Sequence, residues 1–201
     1  MRPKRITYTL AALNATGYAS NVSGASWALD SVAGPSDGLA HQVTIHGDAA
    51  TNHSGKTAII TGLDAEGRTQ TETIAALPDG VATVTSTKYF KTITSVTPSA
   101  TIGADTMDIG WNAVSETPTY PVDCYYEAAP NISITVGGSI TYSISQTNSD
   151  IFAVSSPLWN ELVASQSIDC SASGQVGITA FKVNISNHTS GILIIDYSQG
   201  K

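Results

Sequence analysis

Three histidines stand close together in the first half of the chain, and histidine is a common side chain for binding zinc or for moving protons near neutral pH. They are His41, His46 and His53. Two ligands on one strand need an even spacing, because successive side chains point to opposite faces. His41 and His46 are five positions apart and His53 lies beyond a turn. The spacing therefore argues against a zinc site.

Two pairs of carboxylates could also form a functional site. Asp64 and Glu66, followed by Gly67, have a superficial likeness to a calcium-binding loop, but the further oxygen ligands and the distal glutamate of such a loop are missing. We expect a hairpin turn there. Asp105 and Asp108 are three positions apart. On a strand they would face opposite ways, so they do not form an acid–base pair.

The hydroxyl groups and aromatic rings of the chain suggest no catalytic centre. Serine is abundant, yet no Gly-x-Ser-x-Gly elbow and no glycine-rich phosphate loop occurs. The sequence therefore predicts a protein that is not an enzyme, with no catalytic residue, no metal site and no cofactor. A carbohydrate-stacking platform is an alternative use of the aromatic residues, although core packing is their more usual role. The candidates are Trp27, Trp111, Trp159, Tyr89 and Phe90.

Composition indicates the elements that must position these residues. The 201 residues include 25 Thr and 24 Ser but only nine Lys plus Arg. Threonine favours strands over helices. A hydrophobic fraction of 41% is enough for a folded core. A net charge of −7 argues against nucleic acid as a partner, because binding phosphates needs a basic face.

Targeting signals are also weak. The longest apolar runs are far shorter than the roughly 18 residues that a membrane span requires, so we expect no membrane-spanning segment. The N-terminus has basic residues but no continuous apolar core of a signal peptide, which predicts synthesis and retention in a cytoplasm. Cys124 and Cys170 are too few for a disulfide framework. We expect two free thiols, with a single disulfide as the alternative.

One basic cluster, formed by Arg2, Lys4 and Arg5, precedes an apparent strand at the N-terminus. A short basic arm could bind an acidic partner. The alternative is a solvated, frayed terminus. These three residues are the partner-binding candidates of the sequence.

In the first half of the chain, alternation of polar and apolar residues predicts seven strands. They are 5–10, 41–45, 56–61, 68–74, 82–87, 90–96 and 106–111. The segment 11–40 is rich in Ala, Gly, Ser and Asn and has a poor strand signal. We expect a long surface loop there.

In the second half, Pro118, Pro121 and Pro130 interrupt strand pairing, which predicts a linker or crossover over 116–130. The best helix candidate is short and covers 156–163, with Ser156 as its N-cap and Pro157 at its first position, and an irregular turn is the alternative. Strands are predicted at 131–136 and 139–145 with a hairpin at Gly137–Gly138, at 150–154, and at 176–185 and 191–197 with a hairpin loop at 187–191.

These elements predict an all-β protein with at most one short helix. We expect two tandem domains that resemble β-sandwiches or jelly rolls. The N-terminal β domain covers 1–115 and includes the surface loop at 11–40. The linker covers 116–130, and the C-terminal β domain covers 131–201.

Several segments resemble virion structural proteins of tailed bacteriophages. Thr-Gly-Leu-Asp-Ala-Glu-Gly-Arg at 61–68, Thr-Lys-Tyr-Phe-Lys-Thr-Ile-Thr-Ser-Val at 87–96 and Asp-Ile-Gly-Trp at 108–111 carry this resemblance. The C-terminal part, 177–185 with 188–200, is similar to the terminal hairpin of small phage β-proteins. The matching positions are turns and core strands, so the resemblance transfers no site residues.

The resemblance implies a virion component and, more narrowly, a capsid decoration or cement protein. Such a protein would bind the outside of the shell across joints between major capsid protein subunits, as a homo-oligomer, after assembly in the host cytoplasm. A neck, tail or fibre-anchoring component is the alternative within the virion. A carbohydrate-binding surface module and a hydrolase are the alternatives from other classes.

Overall fold

The computed structural model of the protein describes residues 3–125, 128–153 and 157–199. Strands and turns make up these residues, and no helix occurs among them, so the prediction of an all-β protein is confirmed. Accordingly, the described residues include no helix long and apolar enough to cross a membrane. The strands are β1 (Lys4–Leu10), β2 (Asn14–Val22), β3 (Ala40–Gly47), β4 (Ala58–Leu63), β5 (Thr69–Ile74), β6 (Thr83–Phe90), β7 (Thr92–Pro98), β8 (Met107–Glu116), β9 (Tyr120–Pro121), β10 (Pro130–Thr147), β11 (Asn160–Gln166), β12 (Cys170–Ser173) and β13 (Ala180–Gln199).

The chain forms two compact units. Residues 12–115 form one, here called the central unit. Residues up to Ala11 and from Glu116 onward form the other, here called the terminal unit because it contains strands from both ends of the chain. The first strand, expected in the N-terminal domain, therefore belongs with the C-terminal half. It pairs antiparallel with β13, from Lys4 opposite Tyr197 to Leu10 opposite Gly191.

The central unit has two sheets with a shared apolar core. Strands β5, β4 and β7 form a three-stranded sheet, and β3 lies between β6 and β8 in the other, with β2 paired to β8. The alternation expected from the sequence is visible in β4, where Ala58 and Ile60 are buried while Ile59 is exposed. The buried residues come from both sheets and include Tyr18, Val43, Ile45, Ile60, Phe90, Ile93, Met107 and Ile109.

Side chains of β5 also tie the two sheets of the central unit together along one edge. Glu72 Oε1 accepts a hydrogen bond from the backbone N–H of Thr87 at 2.7 Å, and Oε2 accepts one from Lys88 N–H at 2.8 Å. The Gln70 amide donates to the carbonyl oxygen of Tyr89 at 2.5 Å. Polar groups on the edge of β6 are thereby satisfied by side chains instead of a neighbouring backbone.

The terminal unit is built around a long two-stranded ribbon. β10 and β13 pair antiparallel from Pro130 opposite Gln199 to Thr147 opposite Ala180. Midway, Gly138 lies opposite Gly191, and the register shifts directly afterwards. Their φ angles are 107° and 154°. A β-carbon at Gly191 would lie 2.4 Å from the carbonyl oxygen of Gly137. Only glycine lets the two backbones meet in this way, so the ribbon can bend here.

The two halves of the bent ribbon pack against each other. Phe181 and Tyr197 belong to the same strand, yet their ring centroids lie 5.1 Å apart in an edge-to-face contact. Tyr120 packs against both rings, 5.1 Å from Phe181 and 5.6 Å from Tyr197. β1 and β12 extend one half of the ribbon, and β9 and β11 extend the other. Strands that change sheet at a bend are a known way of making a sandwich corner.

Both hairpins predicted in the second half are wrong. Gly137–Gly138 and the segment 187–191 were expected to reverse the chain, but each lies inside a continuous strand, β10 and β13 respectively. The two glycine signals are partners across one ribbon. Their positive φ angles bend both strands together instead of turning either one back.

Three further expectations differ from the structure. The predicted helix is wrong: 160–166 is strand β11, while its proposed cap Ser156 lies outside the described residues. The predicted strand at 150–154 is a turn as far as it is described, through Ala153. The expected loop at 11–40 contains β2, whose Tyr18 and Ala19 are fully buried. Packing against the core stabilises β2 despite its small, polar sequence.

The seven strands predicted before residue 112 are confirmed, with ends that differ by up to five residues. The predicted linker contains β9, which pairs with the start of β13. The tandem arrangement of two sandwich or jelly-roll domains stays a prediction.

Candidate functional site

Because the ribbon folds back at the Gly138–Gly191 corner, its two ends lie together on the side away from that corner. Three connecting segments of the terminal unit meet there. This place, here called the open end, comprises residues 122–125 with 128–129, 148–153 with 157–159, and 174–179. The backbone N–H of Val122 donates to Thr179 O, and that of Asp123 donates to the Gln199 side chain at 3.1 Å. Gln175 N–H donates to the Gln146 side chain at 3.1 Å.

Four strongly exposed apolar side chains lie at this open end. Tyr125 is 93% exposed, Phe152 86%, Leu158 74% and Val176 62%. They come from all three connecting segments. The hydrogen bonds above hold the first and third segments, and Thr147 Oγ1 at the end of β10 donates to Leu158 O of the second at 2.7 Å. A cluster of exposed apolar side chains on one face commonly marks a surface that binds a partner.

The two exposed aromatic residues share one local geometry. Tyr125 N–H donates to Asp123 Oδ1 at 3.0 Å, and Phe152 N–H donates to Asp150 Oδ1 at 2.9 Å. Each aspartate accepts from the residue two positions on, which is an Asx turn. The turn holds the backbone that carries the ring, so less conformational entropy is lost when the ring binds a partner.

Two of the three basic candidates lie on β1, close to the same end of the ribbon. Lys4 pairs with Tyr197, two positions before the end of β13, and its Nζ lies 5.8 Å from the centroid of the Tyr197 ring. Arg5 donates twice to Asp196, with both nitrogen–oxygen distances 2.8 Å. These hydrogen bonds raise the pKa of Arg5 and lower the pKa of Asp196. Arg2 lies outside the described residues.

His41 lies in the core of the central unit with a buried partner. Its side chain and that of Asp37 are both 0% exposed, and Nε2 lies 2.9 Å from Asp37 Oδ2. Nδ1 lies 2.9 Å from the carbonyl oxygen of Asn112, an acceptor. Through its two ring nitrogens, His41 therefore links the segments that carry Asp37 and Asn112. His46 instead bonds to Thr83 Oγ1 at 2.9 Å.

His53 connects a lysine and an aspartate that the sequence analysis did not associate with it. Lys56 Nζ lies 2.9 Å from His53 Nδ1, and Asp105 Oδ2 lies 2.8 Å from Nε2. A hydrogen bond from the Thr51 hydroxyl, and then the one from His53, lower the pKa of Asp105. An ammonium can only donate, so Nδ1 accepts and Nε2 donates to the carboxylate. The chain of three side chains joins two segments of the central unit.

The other carboxylates considered in the sequence, Asp64, Glu66 and Asp108, make structural contacts. The Asp64 turn is a hairpin between β4 and β5, as predicted: Asp64 Oδ1 accepts from Arg68 N–H at 2.8 Å, and the Arg68 guanidinium contacts both Asp64 and Glu66. Asp108 Oδ1 accepts from Asn21 N–H at 2.9 Å. Within the described ranges, no group of three His, Cys, Asp or Glu is arranged to hold a metal ion.

The other chemically suggestive residues are dispersed. Cys124 and Cys170 are free thiols. Of the five aromatic candidates, Trp27 and Phe90 are buried in the core of the central unit, and Tyr89 is half-buried on β6. Trp111 packs edge-on against Tyr18 at 5.2 Å. Trp159 lies under Lys182 Nζ at 4.9 Å in the terminal unit. Since they lie in different units and partly in the core, they do not form one stacking platform.

The comparisons with known proteins add little to this description. No protein-family model matches the chain, and no curated protein does. Among solved structures, the chain is similar to the major capsid protein P2 from bacteriophage PM2, with 9% sequence identity, coverage of 98% of both chains and a TM-score of 0.19. A TM-score of this size carries no argument about function.

Proposed function

We propose that the protein is a non-enzymatic structural component of a bacteriophage virion, and specifically a decoration or cement protein on the outside of the capsid shell. It binds the major capsid protein across joints between subunits and stabilises the assembled state. A ligand stabilises the state to which it binds, and many weak sites act together over a shell.

The single observation that carries the proposal is the set of exposed apolar side chains at the open end of the terminal unit. Tyr125 and Phe152 are 93% and 86% exposed on turns that fix their backbones. Aromatic residues are enriched among the anchors of protein interfaces. The resemblance of 61–68, 87–96 and 108–111 to phage virion proteins supports the same class.

The basic residues of β1 contribute to the contact in this proposal. Lys4 and Arg5 are exposed on β1 and meet an acidic part of the shell beside the surface that receives the open end. The proposed assembly is a homo-oligomer on the capsid exterior, formed in the host cytoplasm. A neck, tail or fibre-anchoring role is the alternative within the virion.

Copy number separates these roles. Quantitative mass spectrometry of purified virions would give the ratio of this protein to the major shell subunit. Hundreds of copies in a simple ratio are expected for a decoration protein. A dozen copies or fewer would place the protein in the neck or tail, and its absence from purified particles would overturn the virion proposal.

Binding to shells assembled without the protein tests the contact itself. Tyr125→Ser and Phe152→Ser are each expected to weaken the affinity for the shell by about fivefold or more, because anchors of this kind typically contribute more than about 1 kcal/mol. Ile168→Ser is a matched control. Ile168 is 67% exposed, but it lies near the Gly138–Gly191 corner and not at the open end. Equal binding by all three variants would show that the open end does not contact the shell.

A further inference from the structure

Each exposed aromatic residue of the open end follows an aspartate closely in the chain. Asp123 precedes Tyr125 by two positions, and Asp150 precedes Phe152 by two. Each Asx turn uses Oδ1 to accept the aromatic residue's N–H. The same combination of a carboxylate and a projecting ring thus occurs on two separate segments at one end of the unit.

In the described part of the unit, no basic side chain pairs with either of these two carboxylates. Its described basic residues are Lys4, Arg5 and Lys182. Arg5 is bound by Asp196, and Lys182 Nζ lies 2.6 Å from Glu116 Oε2. Among the described residues, neither Asp123 nor Asp150 forms an ion pair. A partner that covers the rings must therefore accommodate two negative charges next to them, and burying an unpaired charge is costly.

The shape of the surface restricts the partner further. The exposed side chains project from loops, so they fit recesses and not another projecting surface. Two of the four are aliphatic, Leu158 and Val176, and aliphatic tips suit a protein better than a sugar, which stacks on aromatic faces. A second copy of the same open end would bring like charges together, which disfavours self-docking through this end.

We infer that the open end binds a protein surface whose apolar recesses are bordered by arginine or lysine side chains. A guanidinium at such a border pairs with the aspartate and also lies against the face of the neighbouring aromatic ring. The inference rests on the proposed function, because it describes the part of the shell subunit that receives the open end.

Asp123→Asn and Asp150→Asn test the inference, since asparagine keeps the oxygen that accepts the turn's hydrogen bond and removes only the charge. Binding of wild type and the double variant to shells assembled without the protein is measured at low and high salt. Thermal unfolding of each variant shows that the fold is retained. Glu161→Gln is the control, because Glu161 is exposed on β11 and has no ring two positions on.

If arginine or lysine borders the recesses of the shell, the double variant is expected to bind about three- to tenfold more weakly than wild type at low salt. A loss of this size corresponds to exposed ion pairs. Its salt dependence should also be shallower than that of wild type, since screening weakens fewer charge pairs. Unchanged or tighter binding by the double variant would overturn the inference and leave the proposed function standing. Failure of wild type to bind shells would overturn both.

Discussion

Phe181 and Tyr197 lie on one strand, sixteen positions apart, and their rings touch with centroids 5.1 Å apart. In a straight strand their α-carbons would be about 50 Å apart, given a rise of about 3.3 Å per residue. The contact therefore requires the ribbon of β10 and β13 to fold back on itself. Gly138 and Gly191 are the only opposed glycine pair in its described register. They make the corner, which gathers the connecting segments at the open end.

The corner should be sensitive to a single methyl group. Gly191→Ala is expected to lower the free energy of unfolding by about 2–4 kcal/mol, because the new β-carbon would lie 2.4 Å from Gly137 O at a φ of 154°. Gly137→Ala is the matched control: its nearest neighbour would be 3.9 Å away, so a change below about 1 kcal/mol is expected. Equilibrium unfolding in urea measures both, and similar effects would contradict the corner's role.

Two buried tyrosines should respond in opposite ways to loss of the hydroxyl. Tyr142 Oη donates to Ile168 O at 2.8 Å, so Tyr142→Phe is expected to lower the free energy of unfolding by about 1 kcal/mol. Tyr18 Oη is buried without a hydrogen-bond partner in the described structure. Tyr18→Phe should therefore be neutral or stabilising. A clear destabilisation by Tyr18→Phe would reveal a bond to its hydroxyl.

Glu72 should matter more for stability than an exposed glutamate. Its carboxylate accepts from the backbone N–H groups of Thr87 and Lys88, across the edge between the two sheets. Glu72→Ala is expected to lower the free energy of unfolding by about 1–3 kcal/mol. Glu161→Ala, on exposed β11, should change it by less than about 0.5 kcal/mol. Urea unfolding of both variants decides whether the edge contact stabilises the fold.

Asp105 should give the protein an acid-sensitive contribution to stability. Hydrogen bonds from Thr51 and His53 lower its pKa in the folded state. The contribution is therefore fully present above the unfolded value of about 3.9 and is lost as pH falls through the lower folded pKa. The difference in Tm between wild type and Asp105→Asn should stay constant above about pH 5 and shrink below about pH 4.

Thr51→Val provides a second variant for this test, because it removes the strongest cause of the shift and keeps the carboxylate. The Tm of Thr51→Val should therefore fall less than that of wild type as the pH is lowered. A difference between wild type and Asp105→Asn that does not change down to acidic pH would contradict the link between Asp105 ionisation and stability.

The sequence by itself determined the all-β class, seven of the eight strands of the first half and the Asp64 hairpin. These depend on local chemistry: alternation decides which face of a strand is buried, and an aspartate with a nearby glycine specifies a turn. The same local logic also explains the wrong hairpins. A positive φ at Gly138 or Gly191 is compatible with a turn and with a bend, and only the opposite strand decides between them.

Tertiary structure decided which distant residues meet. Pairing of β1 with β13, the contact of His53 with Asp105, and the grouping of Tyr125, Phe152, Leu158 and Val176 join segments that are far apart along the chain. Alternation within a strand records that a side chain faces inward but not what it faces. Those partners depend on the bend of the ribbon and on packing across two layers, which no single segment encodes.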